Sequence, residues 1–147
     1  MPAPPPSPVA PSNRRLSLIL AGLAMIGPFS IDTMFPAFAR MGAQFGADKL
    51  AMQQTISVYL LAYAAMSLVH GPLSDAVGRR RVILSGLLVF ALASAGCALS
   101  TSLPMLLFFR VLQGLGAGVG FVVGRAVIRD VRHGDDAQRL LSQVSML

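Results

Sequence analysis

Long apolar runs separated by short polar stretches dominate this chain and limit the folds that it can adopt. Four of these runs are long enough to cross a bilayer as a helix, which takes about 20 residues. They cover residues 16–38, 53–73, 82–99 and 103–128. Only 12% of the residues are charged, whereas a soluble domain usually carries about 25%. The chain is therefore predicted to be an all-α membrane protein with four transmembrane helices.

Two further segments lie outside these runs. Residues 1–13 hold six prolines and show no apolar periodicity, which predicts a disordered tail. Residues 138–147 turn apolar again and stop without a polar end, so we interpret them as the truncated start of a fifth helix. A cleaved signal peptide at the first run is less favoured, because the apolar part of a signal peptide is only about 7–15 residues long.

The basic residues indicate the orientation of the chain. A stretch that begins at Gly71 and contains Asp75, Gly78 and the arginines 79–81 separates the second run from the third, and we interpret it as a tight loop. Arginine-rich loops stay on the cytoplasmic side. With this loop inside, the N-terminus is cytoplasmic and Arg40 and Lys49 lie outside. The cytoplasmic segments then hold Arg14, Arg15, Arg79, Arg80, Arg81, Arg125, Arg129, Arg132 and Arg139.

The distribution of basic residues also indicates which kinds of partner the chain can bind. The net charge is +6, but the basic residues cluster at the ends of apolar runs and form no patch or stripe. Nucleic-acid binding is therefore not predicted, and the expected surroundings are a lipid bilayer. His70 and His133 are the only histidines, and Cys97 is the only cysteine. Without a nucleophile–base set or clustered ligands, neither an enzyme nor a metal or cofactor site is predicted.

Two ionisable residues, Asp32 and Arg110, lie inside apolar runs. Charges are costly there, which makes a functional role the default hypothesis. At 1.5 Å per residue, each lies roughly 10 Å inside the outer end of its helix, so the two can share a level and pair directly or through water. Either a static ion pair or a carboxylate with changing proton or cation occupancy fits this pattern. Gln113, one turn from Arg110, bonds either a substrate or, as is commoner, a neighbouring helix.

Two helix faces carry a recognisable pattern. On the second run, Tyr59, Tyr63, Met66 and His70 share one face, which either lines a cavity or forms a packing stripe. The fourth run carries glycines spaced four residues apart, which let neighbouring backbones approach closely. These glycines are Gly114, Gly116, Gly118, Gly120 and Gly124.

Several motifs resemble those of the major facilitator superfamily. Between the second and third runs stands Gly71-x-x-x-Asp75-x-x-Gly78-Arg79-Arg80-Arg81. The fourth run contains Leu106-x-x-x-Arg110-x-x-Gln113-Gly114-x-Gly116. More narrowly, three further motifs resemble the Bcr/CflA drug-resistance efflux branch. These are Asp32-x-x-x-Pro36, Gln54-Thr55-x-Ser57-Val58-Tyr59-Leu60 and Arg125-Ala126-x-x-Arg129-Asp130.

This resemblance implies a proton-coupled antiporter of the bacterial inner membrane, with the proton as coupling ion, that exports drugs or other small molecules by alternating access. Members have two six-helix halves around a substrate cavity. Asp32 would face that cavity, and Arg110 would lie near the proton-coupling residues. Gln113, Tyr59 and Tyr63 are further candidates for proton coupling or for the cavity. Asp75 and Arg79 would belong to a latch in the cytoplasmic loop. Ala76 replaces the basic residue usual after the loop aspartate, which weakens one latch contact.

The expected chain is then an N-terminal fragment that resembles part of the first six-helix half. The C-terminal helices of the same transporter would be its missing partner, and the fragment alone would be inactive. The alternative is a non-transporting membrane protein that pairs with a partner through the glycine-rich helix faces.

Overall fold

The computed structural model describes residues 14–131, which form a bundle of helices. The elements are α1 (Arg14–Asp32), a 3₁₀ turn (Phe35–Ala37), α2 (Phe38–Phe45), α3 (Lys49–Val77), α4 (Arg79–Ala98) and α5 (Leu103–Val131). Four stretches are long and apolar enough to cross a membrane, at 18–45, 49–77, 79–98 and 103–127. The expected all-α membrane fold is thereby confirmed. The proline-rich tail 1–13 and the apolar residues 138–147 lie outside the described range.

Helix α5 occupies the centre of the bundle and packs against α1, α3 and α4. Its Gly114 meets Tyr59 of α3, and its Gly118 meets Tyr63, so α3 and α5 run in the same direction. Along α4 the order is reversed, since Gly116 of α5 meets Gly86 whereas Phe109 meets Gly96. Residues of α1 meet α5 in the same reversed order as those of α4.

The outward faces of α3 and α4 are apolar. Leu61 and Leu68 of α3 are exposed, as are Leu88 and Leu92 of α4. Against α5, by contrast, Val82 of α4 packs into a buried cluster of valines. Exposed leucines on membrane-length helices are the expected surface for contact with lipid chains.

The first apolar run does not form one helix over 16–38, as expected, because α1 ends at Asp32. A proline has no N–H to bond the carbonyl four residues earlier and restricts the residue before it, and Pro36 has both effects just beyond this end. Pro28, in contrast, stays within α1. The connection between the first and second apolar runs is largely helical, because α2 covers Phe38–Phe45 and α3 already begins at Lys49. Gly46, with φ 60°, closes α2, and Asp48 caps α3 by accepting a hydrogen bond of 2.8 Å from the backbone N–H of Ala51.

The predicted loop at 71–81 is a break of a single residue. Helix α3 extends from Lys49 to Val77, beyond the expected 53–73, and α4 starts at Arg79 rather than at residue 82. Between them Gly78 has φ 103°, a backbone conformation that side chains other than glycine rarely adopt. The polar residues before it continue the helix because they find partners there, as Asp75 does in an ion pair with Arg79 four residues on.

Candidate functional site

Tyr59 of α3 is a buried residue that reaches across to α1. Its side chain is only 1% exposed, and its hydroxyl donates a hydrogen bond of 3.1 Å to the carbonyl oxygen of Gly27. Its ring stacks near that of Tyr63, one turn further along α3, with 6.4 Å between the ring centroids. The tyrosine face of α3 therefore packs against α1 at Tyr59.

The same face also lines a cavity. A groove of about 290 Å³ opens between α1 and α3. It is lined by Gly27, Pro28, Ile31, Asp32, Tyr59, Leu60 and Tyr63. Asp32 is exposed, so its carboxylate is accessible beside two phenol rings. The tyrosine face was expected either to line a cavity or to pack against another helix. Tyr59 does both, since it contacts α1 and lines the groove. His70, lower on the same face, is buried.

Arg110 of α5 is buried in the middle of the bundle, with 4% of its surface exposed. Its Nη1 donates a hydrogen bond of 2.8 Å to Oε1 of Gln113 and one of 3.3 Å to Oγ of Ser30. The carbonyl oxygen of Ser30 lies 3.5 Å from the same nitrogen. The guanidinium also lies over the ring of Tyr59, 5.7 Å from its centroid, which is cation–π distance.

Gln113 extends this network to α4. Its Nε2 donates a hydrogen bond of 2.7 Å to Oγ of Ser94, which in turn donates to the carbonyl oxygen of Phe90. We call the set Ser30, Arg110, Gln113 and Ser94 the polar chain, because it connects α1, α5 and α4. Sequence reasoning missed the two serines, although hydroxyls in apolar runs are common helix-joining groups.

The direct pair between Asp32 and Arg110 that the sequence suggested is not formed. Within the described residues, Arg110 has no ion pair, and its contact on α1 is Ser30. Residues two positions apart on a helix with 3.6 residues per turn are separated by about 200° around its axis. Ser30 and Asp32 therefore project to different sides of α1. The two charged residues were expected at a similar depth in the bundle, and Arg110 does contact α1 within two residues of Asp32. Tyr59 lies between the two charges, because it lines the Asp32 groove and contacts Arg110.

The residues expected to form a loop latch lie at the junction of α3 and α4. The carboxylate of Asp75 lies 2.6 Å from Nη2 of Arg79, and Nη1 of Arg79 donates to Oγ of Ser74. Asp75 itself stands in the last turn of α3. Gly71 is helical, with open space around it, and Arg80 and Arg81 are exposed.

The glycines of α5 face three different helices. A Cβ at Gly114 would overlap the carbonyl oxygen of Tyr59, and one at Gly120 would overlap that of Leu23 on α1. Gly116 lies close to the backbone of α4, and Gly118 close to Ser67 and His70 of α3. At Gly124 a Cβ would meet Leu20 only at 3.7 Å, an ordinary contact.

Metal coordination has no support in the part of the chain that the structure describes. Over residues 18–127, whose side chains the structure describes, there is no group of three or more histidine, cysteine, aspartate or glutamate side chains that could hold an ion. Cys97 is a free cysteine whose Sγ lies 4.0 Å from Oε1 of Gln113. The site therefore combines the accessible carboxylate of Asp32, the buried guanidinium of Arg110 and neutral hydrogen-bonding groups.

Comparison with known proteins gives a consistent family. The model of the Major Facilitator Superfamily matches residues 19–147. The chain is 38% identical to multidrug resistance protein D of Escherichia coli over 81% of its length and 30% of that protein. It is 34% identical to a chloramphenicol resistance protein of Pseudomonas aeruginosa, over 84% of this chain and 30% of the relative.

A third relative is the uncharacterized MFS-type transporter YdgK of Bacillus subtilis, 33% identical over 96% of this chain and 35% of that protein. The chain thus spans about a third of the length of the curated relatives that it matches.

Proposed function

We propose that this chain, which belongs to the Major Facilitator Superfamily, forms part of a proton-coupled carrier. The carrier would export drugs or other small molecules from the bacterial cytoplasm. The observation that carries this proposal is the groove between α1 and α3, where the carboxylate of Asp32 stands beside two tyrosines within membrane-length helices. The relatives named for multidrug and chloramphenicol resistance support the direction of transport.

Asp32 is the proposed proton carrier. An accessible carboxylate in a membrane-spanning region can bind a proton from one side and lose it to the other when water access changes. Tyr59 and Tyr63 supply apolar rings and hydroxyls beside it, a combination that suits a small amphipathic substrate. Proton and substrate then compete for the same groove, so release of one accompanies binding of the other.

Arg110 is the proposed electrostatic partner of this carboxylate, acting through Tyr59. Its charge lies over the ring that lines the groove, and its orientation is held by Ser30 and Gln113. A fixed cation beside the groove attracts anionic groups and repels cationic ones. The polar chain thus keeps Arg110 in place while the groove changes occupant.

Asp75 and Arg79 are proposed to act as a latch at the cytoplasmic end of α3 and α4. They are already paired and stand next to Gly78, where the chain changes direction. The N-terminus is then proposed to be cytoplasmic, as the arginine distribution predicts. Alternating access also requires a second bundle against which this one moves. We therefore propose that the four membrane-length stretches of this chain do not transport by themselves.

Accumulation of chloramphenicol in cells that express the gene tests the efflux proposal. We expect lower accumulation than in cells without the gene, and we expect an uncoupler that collapses the proton gradient to abolish the difference. Equal accumulation with and without the gene would contradict the proposal. The alternative is a non-transporting protein that pairs with a partner through its glycine faces, and the packing of the described glycines does not favour it. Gly114, Gly116 and Gly120 already pack against helices of this chain.

A further inference from the structure

A second cavity lies beside α1 and shares no lining residue with the Asp32 groove. Its volume is about 310 Å³, which falls within the usual size of a small-ligand pocket. The lining residues come from α1, the turn after it, α4 and α5. They are Ile26, Phe29, Ser30, Thr33, Met34, Phe90, Ser94, Arg110 and Gln113.

The hydroxyls of Thr33 and Ser94 already have hydrogen-bond partners, whereas the guanidinium of Arg110 is only partly bonded. The hydroxyl of Thr33 donates to the carbonyl oxygen of Phe29, and that of Ser94 to the carbonyl oxygen of Phe90. Arg110 uses only Nη1 for its hydrogen bonds, all of them to neutral acceptors. Its Nε is buried and has no hydrogen-bond partner among residues 18–127, whose side chains the structure describes.

The unmet requirement of Arg110 is a negative charge. Water or another hydroxyl could accept from Nε but would leave the charge itself without a counter-ion, which is costly in a buried site. Asp32 does not fill this role, because it lines the other cavity. A carboxylate fits best, since its two oxygens match the planar, multiple-donor edge of a guanidinium.

We propose that this cavity binds a small organic carboxylate, with the carboxylate on Arg110 and the apolar body against Phe29 and Phe90. The apolar walls and the volume distinguish such a ligand from a bare halide, which would leave most of the cavity empty. The cavity shares no lining residue with the tyrosine groove, but its anion-binding group is the same Arg110 that we propose to act on that groove through Tyr59.

Benzoate is a suitable probe, with benzamide as its neutral counterpart of the same shape. Titration calorimetry on the full 147-residue chain in detergent micelles is expected to show benzoate binding at least about tenfold tighter than benzamide, the discrimination of one charge-assisted hydrogen bond. Equal affinity for the two would overturn the proposal, since it would mean simple partition of a ring. Displacement of benzoate by an equal concentration of chloride would overturn it too, in favour of a halide site.

Variants locate the site. Arg110→Lys keeps a charge but removes Nε, and we expect it to weaken benzoate binding about tenfold or more. Arg125→Gln is the matched control, because Arg125 is an exposed arginine of the same helix that lies over Phe121 instead. It should leave the affinity unchanged. Unchanged affinity in a folded Arg110→Lys would refute the assignment. If that variant does not fold, the comparison of benzoate with benzamide on the unmodified chain decides.

Discussion

At the residue scale, Tyr59 is the side chain that contacts α1, the groove of Asp32 and Arg110 at the same time. Its hydroxyl is bonded to α1, its ring lines the groove of Asp32, and the same ring lies beneath Arg110. A phenol suits this position because it offers an apolar body and a polar tip. The ring of Tyr59 thus lies next to both the groove of Asp32 and the guanidinium of Arg110, which form no direct ion pair within the described residues.

Replacing Tyr59 by phenylalanine tests the hydroxyl contact with Gly27. We expect a loss of about 0.5–1.5 kcal/mol in the free energy of unfolding, because a buried carbonyl loses a donor while the ring stays in place. Unfolding in mixed detergent and dodecyl sulfate micelles measures it.

Tyr63→Phe is the matched control for that variant, since the hydroxyl of Tyr63 has no hydrogen-bond partner among residues 18–127, whose side chains the structure describes. It should unfold like the unmodified chain. A loss of the same size in both variants would show that the bond to Gly27 is not the cause.

Sequence reasoning located the charged residues of the site but not their contacts. Asp32 and Arg110 stand out in any apolar run, because a charge there is costly. Their depth also follows from counting residues along a helix. The direction of each side chain around the helix axis does not, since it depends on how α1 rotates against α5. That rotation brings Ser30 to Arg110 and leaves Asp32 in the groove.

At the element scale, α5 is the helix around which the others are arranged. Its glycines allow three neighbours to approach at backbone distance, each on a different side. The apolar runs were sufficient to predict the helices, but not where they end. Helix α3 continues through Pro72 and Asp75 because polar groups at this end of the bundle are satisfied by side chains such as Arg79. Only Gly78, with its positive φ, breaks it.

An alanine at Gly114 tests this arrangement of α5. Its Cβ would overlap the carbonyl oxygen of Tyr59 and lie 2.9 Å from Cβ of Ala62, so a backbone must move. We expect a loss of stability of about 1–3 kcal/mol, typical of overpacking. The control is Gly124→Ala on the same helix, where the new Cβ makes only an ordinary contact.

For Gly124→Ala, stability should be unchanged or raised by up to about 1 kcal/mol, because alanine has the higher helix propensity. The same denaturation assay compares the two variants. A Gly114→Ala chain as stable as the control would contradict the close packing of α5 on α3.

At the scale of the whole molecule, the arginines divide the bundle into two unlike ends. Arg79, Arg80 and Arg81 stand at the start of α4, whereas the opposite end carries Arg40 and Lys49. The positive-inside rule then predicts the arginine-rich end in the cytoplasm. This orientation follows from sequence, since it depends on the count of charges near the helix ends and not on packing.

Labelling of single cysteines tests the orientation. In a Cys97→Ser background, a cysteine at the exposed position of Gln44 should react with a membrane-impermeant maleimide applied to spheroplasts. A cysteine at the exposed position of Ala76, near the other end, should react only after lysis. The reverse pattern would place the arginine-rich end outside and contradict the topology.

The central claim is that Asp32 carries the coupling proton, and drug-driven proton movement tests it most directly. In everted membrane vesicles with an acidic interior, chloramphenicol should release protons when the gene product is unmodified. Asp32→Asn should abolish this release, while Asp32→Glu, which keeps a carboxyl group, should retain part of it. Because Asp32 is exposed, the asparagine variant should reach the membrane in unchanged amount, with stability within about 0.5 kcal/mol. Proton release by Asp32→Asn equal to that of the unmodified protein would contradict the account.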